Sequence, residues 1–171
     1  MRISMFETCV PTGIRMMTNL AAVLGKAAQF AEGKKLGPDV LVNARLAPDM
    51  FPLARQVQIA SDSAKSGAAR LAGVEPPAYE DDEKTLAELI VRAEKTAAYL
   101  RTLNPEQFQG AEDRTVQWKT RSGEKSMQGL PYVLHHMLPN LHFHVTTAYA
   151  ILRHNGVELG KLDFLGRPPP A

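Results

Sequence analysis

Apolar residues recur at helical spacing in four long stretches of this chain and alternate in one short one. The first stretch opens at Ser4, whose spacing to Glu7 is that of a capping box. Phe6, Val10, Ile14, Met17, Leu24, Ala28 and Ala31 then follow a helical stripe, with Ala21 filling its gap, and Gly33-Lys34-Lys35 reads as the end. Pro11 either kinks this helix or marks its first turn. The second helix opens at Pro52, runs along Leu53, Val57, Ala60, Ala64, Ala68 and Leu71, and stops at Gly73. The third, capped by Asp81 or Asp82, carries Leu86, Leu89, Ile90, Ala93, Ala97, Leu100 and Leu103, and Asn104-Pro105 ends it. The fourth spans Leu130 to Gly156, between a start at Pro131 and a stop at Asn155-Gly156. Its stripe is Val133, Met137, Leu141, His144, Ala148 and Ile151, widened by Leu134, Leu138, Val145 and Leu152.

Between the third and fourth helices the period changes. Val116 and Trp118 alternate with polar neighbours, Arg121-Ser122-Gly123-Glu124 is turn-like, and Lys125 to Met127 returns, which predicts a hairpin. Val40 to Leu46 predicts one or two helical turns, and Glu75-Pro76-Pro77 through Asp82 a stiff acidic linker. Leu159, Leu162, Phe164 and Leu165 are expected to dock back on the helices. The pattern as a whole predicts a mainly α protein. Its architecture is an antiparallel four-helix bundle with a small β-hairpin or extended insert before the last helix. One domain covers residues 1–166, and residues 167–171 form a frayed, Pro-rich end.

Composition narrows the function classes. The chain has 171 residues, 44% hydrophobic and 22% charged, as in an ordinary folded domain. No apolar run approaches the roughly 20 residues of a membrane helix. A net charge of +2 with interspersed signs gives no basic stripe for nucleic acid. The single cysteine, Cys9, forms no internal disulfide and reads as a small core residue. Met1-Arg2-Ile3-Ser4 lacks a signal-peptide pattern, so the cytoplasm is the expected compartment. No Gly-rich phosphate loop, HExxH or GxSxG occurs.

Candidate chemistry gathers on the fourth helix, which holds all five histidines. His136, Asn140, His144 and Thr147 form a polar row along the edge of its apolar face. The row either holds helices in register through hydrogen bonds or binds a ligand. His135 and His142 point to the opposite side, toward solvent or a partner, and His154 sits favourably at the negative helix end. Pro139 cannot donate to the carbonyl of His135, so a kink is expected beside Asn140. On the second helix Arg55, Gln58 and Asp62 form another polar row, a solvated face or one pointed into a site. Glu88 and Arg92 on the third look like exposed i, i+4 pairing.

The segments PNLHFHVTTAYAILRHNGVELGKLDFLG and NARLAPDMFPLARQVQIASD resemble a subfamily of unknown function within the DinB/YfiT-like metalloenzyme superfamily. The resemblance covers nearly the whole chain. In the wider group three histidines hold a divalent metal, one on the second helix and two on the fourth. The resemblance places these positions at Gln58, Asn140 and His144, so one imidazole of three remains. Carboxamide oxygens are weak ligands for zinc or nickel. The first expectation is therefore a degenerate metal site, with Gln58, Asn140 and His144 as a polar cluster that binds a small polar molecule or only holds the helices. The second is a divalent-metal enzyme of thiol-transferase or isomerase type. There His144, Asn140 and Gln58 are metal ligands, His136 is the general base, and Asp49 and Asp62 are further oxygen donors. The third is a non-catalytic homodimer built on the apolar fourth helix.

Overall fold

The computed structural model describes residues 3–120 and 122–166; Arg121 of the expected turn and the Pro-rich residues 167–171 lie outside the described residues. Helix α1 spans Met5–Gly33, and Ser4 and Glu7 exchange the two hydrogen bonds of a capping box. Pro11 lies inside this helix and does not start it. Helix α2 spans Leu53–Ala72 and ends at Gly73, whose left-handed backbone (φ 72°) suits a residue without Cβ. Helix α3 spans Leu86–Leu100. Its cap is Thr85, in a capping box with Glu88, not Asp81 or Asp82. The Thr-x-x-Glu pair satisfies two backbone donors at once, which a lone aspartate cannot do.

The expected hairpin is present: β1 (Thr115–Thr120) pairs antiparallel with β2 (Gly123–Gln128). Of Val40 to Leu46, residues 40–43 form hydrogen-bonded turns, with Asn43 donating to the Asp39 carbonyl as in a single helical turn, residues 44–46 are irregular, and Leu41 and Val42 are buried. Pro48 and Pro52 follow so closely that a helix has no room to propagate.

The last long helix is built in three parts. A short α4 (Gly129–Tyr132) runs into a π-helical turn, Val133–Met137, and then into α5 (Leu138–His154). The amide of Leu138 donates to Val133 five residues back, the mark of the widened turn. Pro139 explains it: with no N–H for the His135 carbonyl and a ring pressed against it, the preceding turn opens out, so the expected disruption takes the form of a π turn. The side chain of Asn140 donates to the His136 carbonyl at 2.6 Å and occupies a carbonyl of the opened turn. The wide turn also rotates the face: Leu134, expected in the core, is exposed.

Helix α1 packs chiefly on α3 and α2 chiefly on α5, with α2 also against α3. Leu20, Leu24, Leu53, Val57, Leu89, Leu100, Leu141 and Ile151 meet in one buried core. Cys9 is fully buried, its Sγ 3.0 Å from the Met5 carbonyl, and burial pushes its thiol up to about 12. Such a thiol is inert packing, as expected. Helix α6 (Lys161–Leu165) docks on α1, where Arg15 and Asn19 donate to the carbonyls of Leu165 and Phe164. Leu162 and Leu165, expected to dock with it, are exposed. No helix among the described residues is long and apolar enough to cross a membrane.

Candidate functional site

The π turn faces α2 across a cleft of about 620 Å³. Arg55, Asp62, Lys65, Ser66 and Arg70 line it from α2, Tyr79 from the loop of residues 74–84, and Trp118 from β1. Tyr132, His136 and Asn140 close it from the last helix. The positions Asp62, Ser66 and Arg70 are i, i+4 and i+8 of one helix, so a single stripe of α2 presents all three. The polar row on α2 is thus divided: Arg55 and Asp62 point into the cleft, whereas Gln58 is buried beside it.

Three rings form the wall opposite α2. Trp118 lies 4.6 Å from His136 with 35° between the ring planes, and Tyr132 lies within 5.2 Å of both. The hairpin alternation puts Val116 and Trp118 on the same strand face, where Val116 is buried and Trp118 sits at the cleft edge. Tyr132 is only 1% exposed, and its hydroxyl accepts from Arg70 Nη1 at 3.2 Å. Burial raises the Tyr132 pKa, against the pull of Arg70. His136 is held below its ordinary value, first by burial and then by the charge of Arg70. Both effects favour the neutral imidazole, the form that can accept a hydrogen bond or a proton.

Behind the cleft, Arg92 of α3 anchors the loop of residues 74–84. It is 3% exposed, where the sequence predicts an exposed partner of Glu88. Glu88 instead caps α3, and Arg92 reaches Glu83 at 2.8 Å, Asp81 at 3.0 Å, Asp62 at 3.2 Å and the Glu80 carbonyl at 2.7 Å. Burial works against its charge, but the three carboxylates outweigh this and hold its pKa above the ordinary value. Arg55 pairs with Asp81, and Lys65 with Asp62 at 3.0 Å. Tyr79 lies among the cations Lys65, Arg92 and Lys95, 4.1 Å from the last.

The residues assigned from the resemblance do not bond to one another. The side chain of Gln58 accepts from Arg55 at 3.1 Å and donates to Glu83 at 2.9 Å. Asn140 is committed to the His136 carbonyl. His144 Nδ1 lies 2.7 Å from Gln56 Oε1, and Gln56 Nε2 donates to the Phe51 carbonyl, so the imidazole donates to the amide oxygen. Asp49 is exposed on the loop before α2, and Asp62 is paired with Lys65 and Arg92. Among the described residues no three of His, Cys, Asp and Glu are grouped to hold a metal ion. The donor set at Gln58, Asn140 and His144 therefore does not fit a zinc or nickel site. Gln56, Arg70, Trp118 and Tyr132 were not singled out as site residues from sequence. Only Arg70 left a signal, through its i+8 spacing from Asp62.

His144 is also held below its ordinary value, by burial and by Arg55. A lowered histidine pKa in the fold means that the unfolded chain binds more protons below about 6.5, so stability rises with pH in that window. The urea midpoint is expected to fall from pH 7 to pH 5, and less steeply in the double variant His136→Gln/His144→Gln. Equal slopes in the two proteins would show that these imidazoles are not the cause.

Residues 5–165 match the model of a family described as "Domain of unknown function (DUF1993)". A solved structure, the crystal structure of a DinB family member protein from Shewanella denitrificans, is 46% identical. That comparison covers 97% of this chain and 94% of that one, with a TM-score of 0.88. No curated protein matches the chain.

Proposed function

Because the chain belongs to the DUF1993 family, a DinB-like group of unknown function, we propose that it binds a small polar molecule in the cleft between α2 and the π turn. The observation that carries this reading is the convergence of Arg70, His136 and Asn140 on one cleft of about 620 Å³, within the range of small-molecule sites. Four long helices, α1, α2, α3 and α5, act as an antiparallel bundle that holds the two walls. The pairing of α1 with α3 and of α2 with α5 supports that arrangement. The π turn, a feature frequent at functional sites, aims His136 inward, and His136 is the group suited to accept a proton from a bound molecule.

A thermal-shift screen with a panel of small polar molecules tests the reading. A ligand at about 100 times its Kd adds about 2.7 kcal/mol, or roughly 5–10 °C of melting temperature for a chain of this size. Hits are expected to lose their shift in Asn140→Ala and keep it in Gln58→Ala. The reverse pattern would move the site to the row containing Gln58. Elemental analysis of untagged protein, with His144→Ala in parallel, is expected to show no stoichiometric metal that depends on His144. A metal lost on that substitution would restore the metalloenzyme reading.

A further inference from the structure

We propose that the molecule bound in this cleft is a small organic oxyanion carrying a planar group, with Arg70 as the receptor for the anion. The proposal rests on the cleft reading above and names its ligand class. Its basis is the charge pairing around the cleft. Arg55 is neutralised by Asp81, and Lys65 by Asp62. Arg92 is neutralised by Asp62, Asp81 and Glu83. Arg70 lines the same cleft and has no carboxylate within ion-pair distance among the described residues. Its one side-chain hydrogen bond there goes to the Tyr132 hydroxyl.

A guanidinium carries five N–H donors in a planar fork. Nη1 is positioned by a phenol that is itself 1% exposed, so the fork is oriented before any ligand arrives. A fork held at a cleft wall matches the two oxygens of a carboxylate or phosphate. Beside it, Trp118 is partly exposed and packs at a 35° tilt against the half-buried His136, and its uncovered ring surface is open to a planar group. Asn140 Oδ1 and Ser66 lie on the same cleft and suit a hydroxyl or N–H elsewhere on the molecule. A neutral or cationic ligand would leave the Arg70 charge without a counter-charge.

Trp118 is the only tryptophan in the chain, so its emission reports on the cleft and on the adjoining hairpin face, and the dependence on Arg70 tells the two apart. Wild-type protein and Arg70→Gln are titrated at fixed ionic strength with benzoate, phenyl phosphate and benzyl alcohol, exciting at the tryptophan edge. Circular dichroism checks the fold of the variant. A saturable change with benzoate or phenyl phosphate is expected in wild type, at least about tenfold weaker in Arg70→Gln and at least about tenfold weaker with benzyl alcohol. The tighter of the two anions tells whether the fork receives a carboxylate or a phosphate. If Arg70→Gln does not fold, the ratio of anion to alcohol affinity in wild type decides. Equal binding of the alcohol, or undiminished binding in a folded variant, would overturn the anion receptor and leave the small-molecule cleft standing. No response to either anion, while the thermal-shift panel gives Asn140-dependent hits, would overturn the proposal alone. Silence in both experiments would remove the cleft reading with it.

Discussion

Gly129→Ala is expected to cost about 3 kcal/mol or more, because the added Cβ has nowhere to go. Gly129 is buried where β2 passes into α4. Its Cβ would fall inside the envelope of the Ala111 carbonyl oxygen, with the Ala111 carbonyl carbon at 2.9 Å and Leu71 Cδ2 at 3.3 Å. The first obstacle is backbone, so no rotamer change relieves it. The adjacent amide, Leu130, is tied to the Glu112 carbonyl at 3.0 Å, so the two segments cannot part without losing that bond. Relief by moving α4 would displace Tyr132 and His136, and with them the wall of the cleft. Thermal melting is expected to drop by roughly 6–12 °C, with a matching fall or red shift in Trp118 emission. A variant that melts with the wild type would mean that the segments are farther apart than described.

Arg92→Met is expected to cost roughly 2–4 kcal/mol. Removing one member of a buried ion pair costs about 3–5 kcal/mol, because the partners keep their desolvation without compensation. The value here is set lower because two of the three partners reach water: Asp62 and Asp81 side chains are 41% and 38% exposed, and only Glu83, at 11%, is left stranded. The effect is also local. Residues 74–84 contain no helix or strand, and Arg92 holds them through Asp81, Glu83 and the Glu80 carbonyl. Amides of that loop are expected to lose more protection than those of α1, whose exchange quickens only as far as the fall in global stability requires. Arg92→Lys is expected to recover little, since one ammonium cannot reproduce the fork that spans three carboxylates. An unchanged urea midpoint and unchanged loop exchange in Arg92→Met would show that the network is solvated and contributes nothing.

The two variants act on opposite walls of the cleft, and these walls differ in how far the sequence disclosed them. The Pro139 defect was legible, as was the amide neighbour Asn140, whose side chain bonds the His136 carbonyl beside it. The form of the defect was not. Whether a proline widens the turn before it depends on what the displaced residues pack against, here Met137 against Gly67 on α2. The histidine row illustrates the same limit. A helical wheel placed His136, Asn140 and His144 together, but the widened turn changes the angle between His136 and its successors. His136 then joins Trp118 and Tyr132, whereas His144 goes to Gln56. Glu88 and Arg92 had the spacing of an i, i+4 pair, yet each found a better partner: Glu88 the free amides of Lys84 and Thr85, and Arg92 three carboxylates from outside its helix.

What the sequence determined by itself was local and periodic. The presence of the long helices, the capping box at Ser4, the stop at Gly73, the alternation of Val116 and Trp118 and the burial of Cys9 all follow from steric, hydrogen-bonding and hydrophobic preferences within a few residues. Tertiary structure alone decided which side chains share a site. Arg70, Trp118 and the i, i+4 pair Tyr132 and His136 come from α2, the hairpin and the last helix, and no spacing along the chain connects the three groups. Their meeting depends on how α2, the hairpin and the π turn are pressed together by a common apolar core, and so does the absence, among the described residues, of a carboxylate within ion-pair distance of Arg70. Charge pairing is a sum over neighbours in space, and a chain read in order does not contain it.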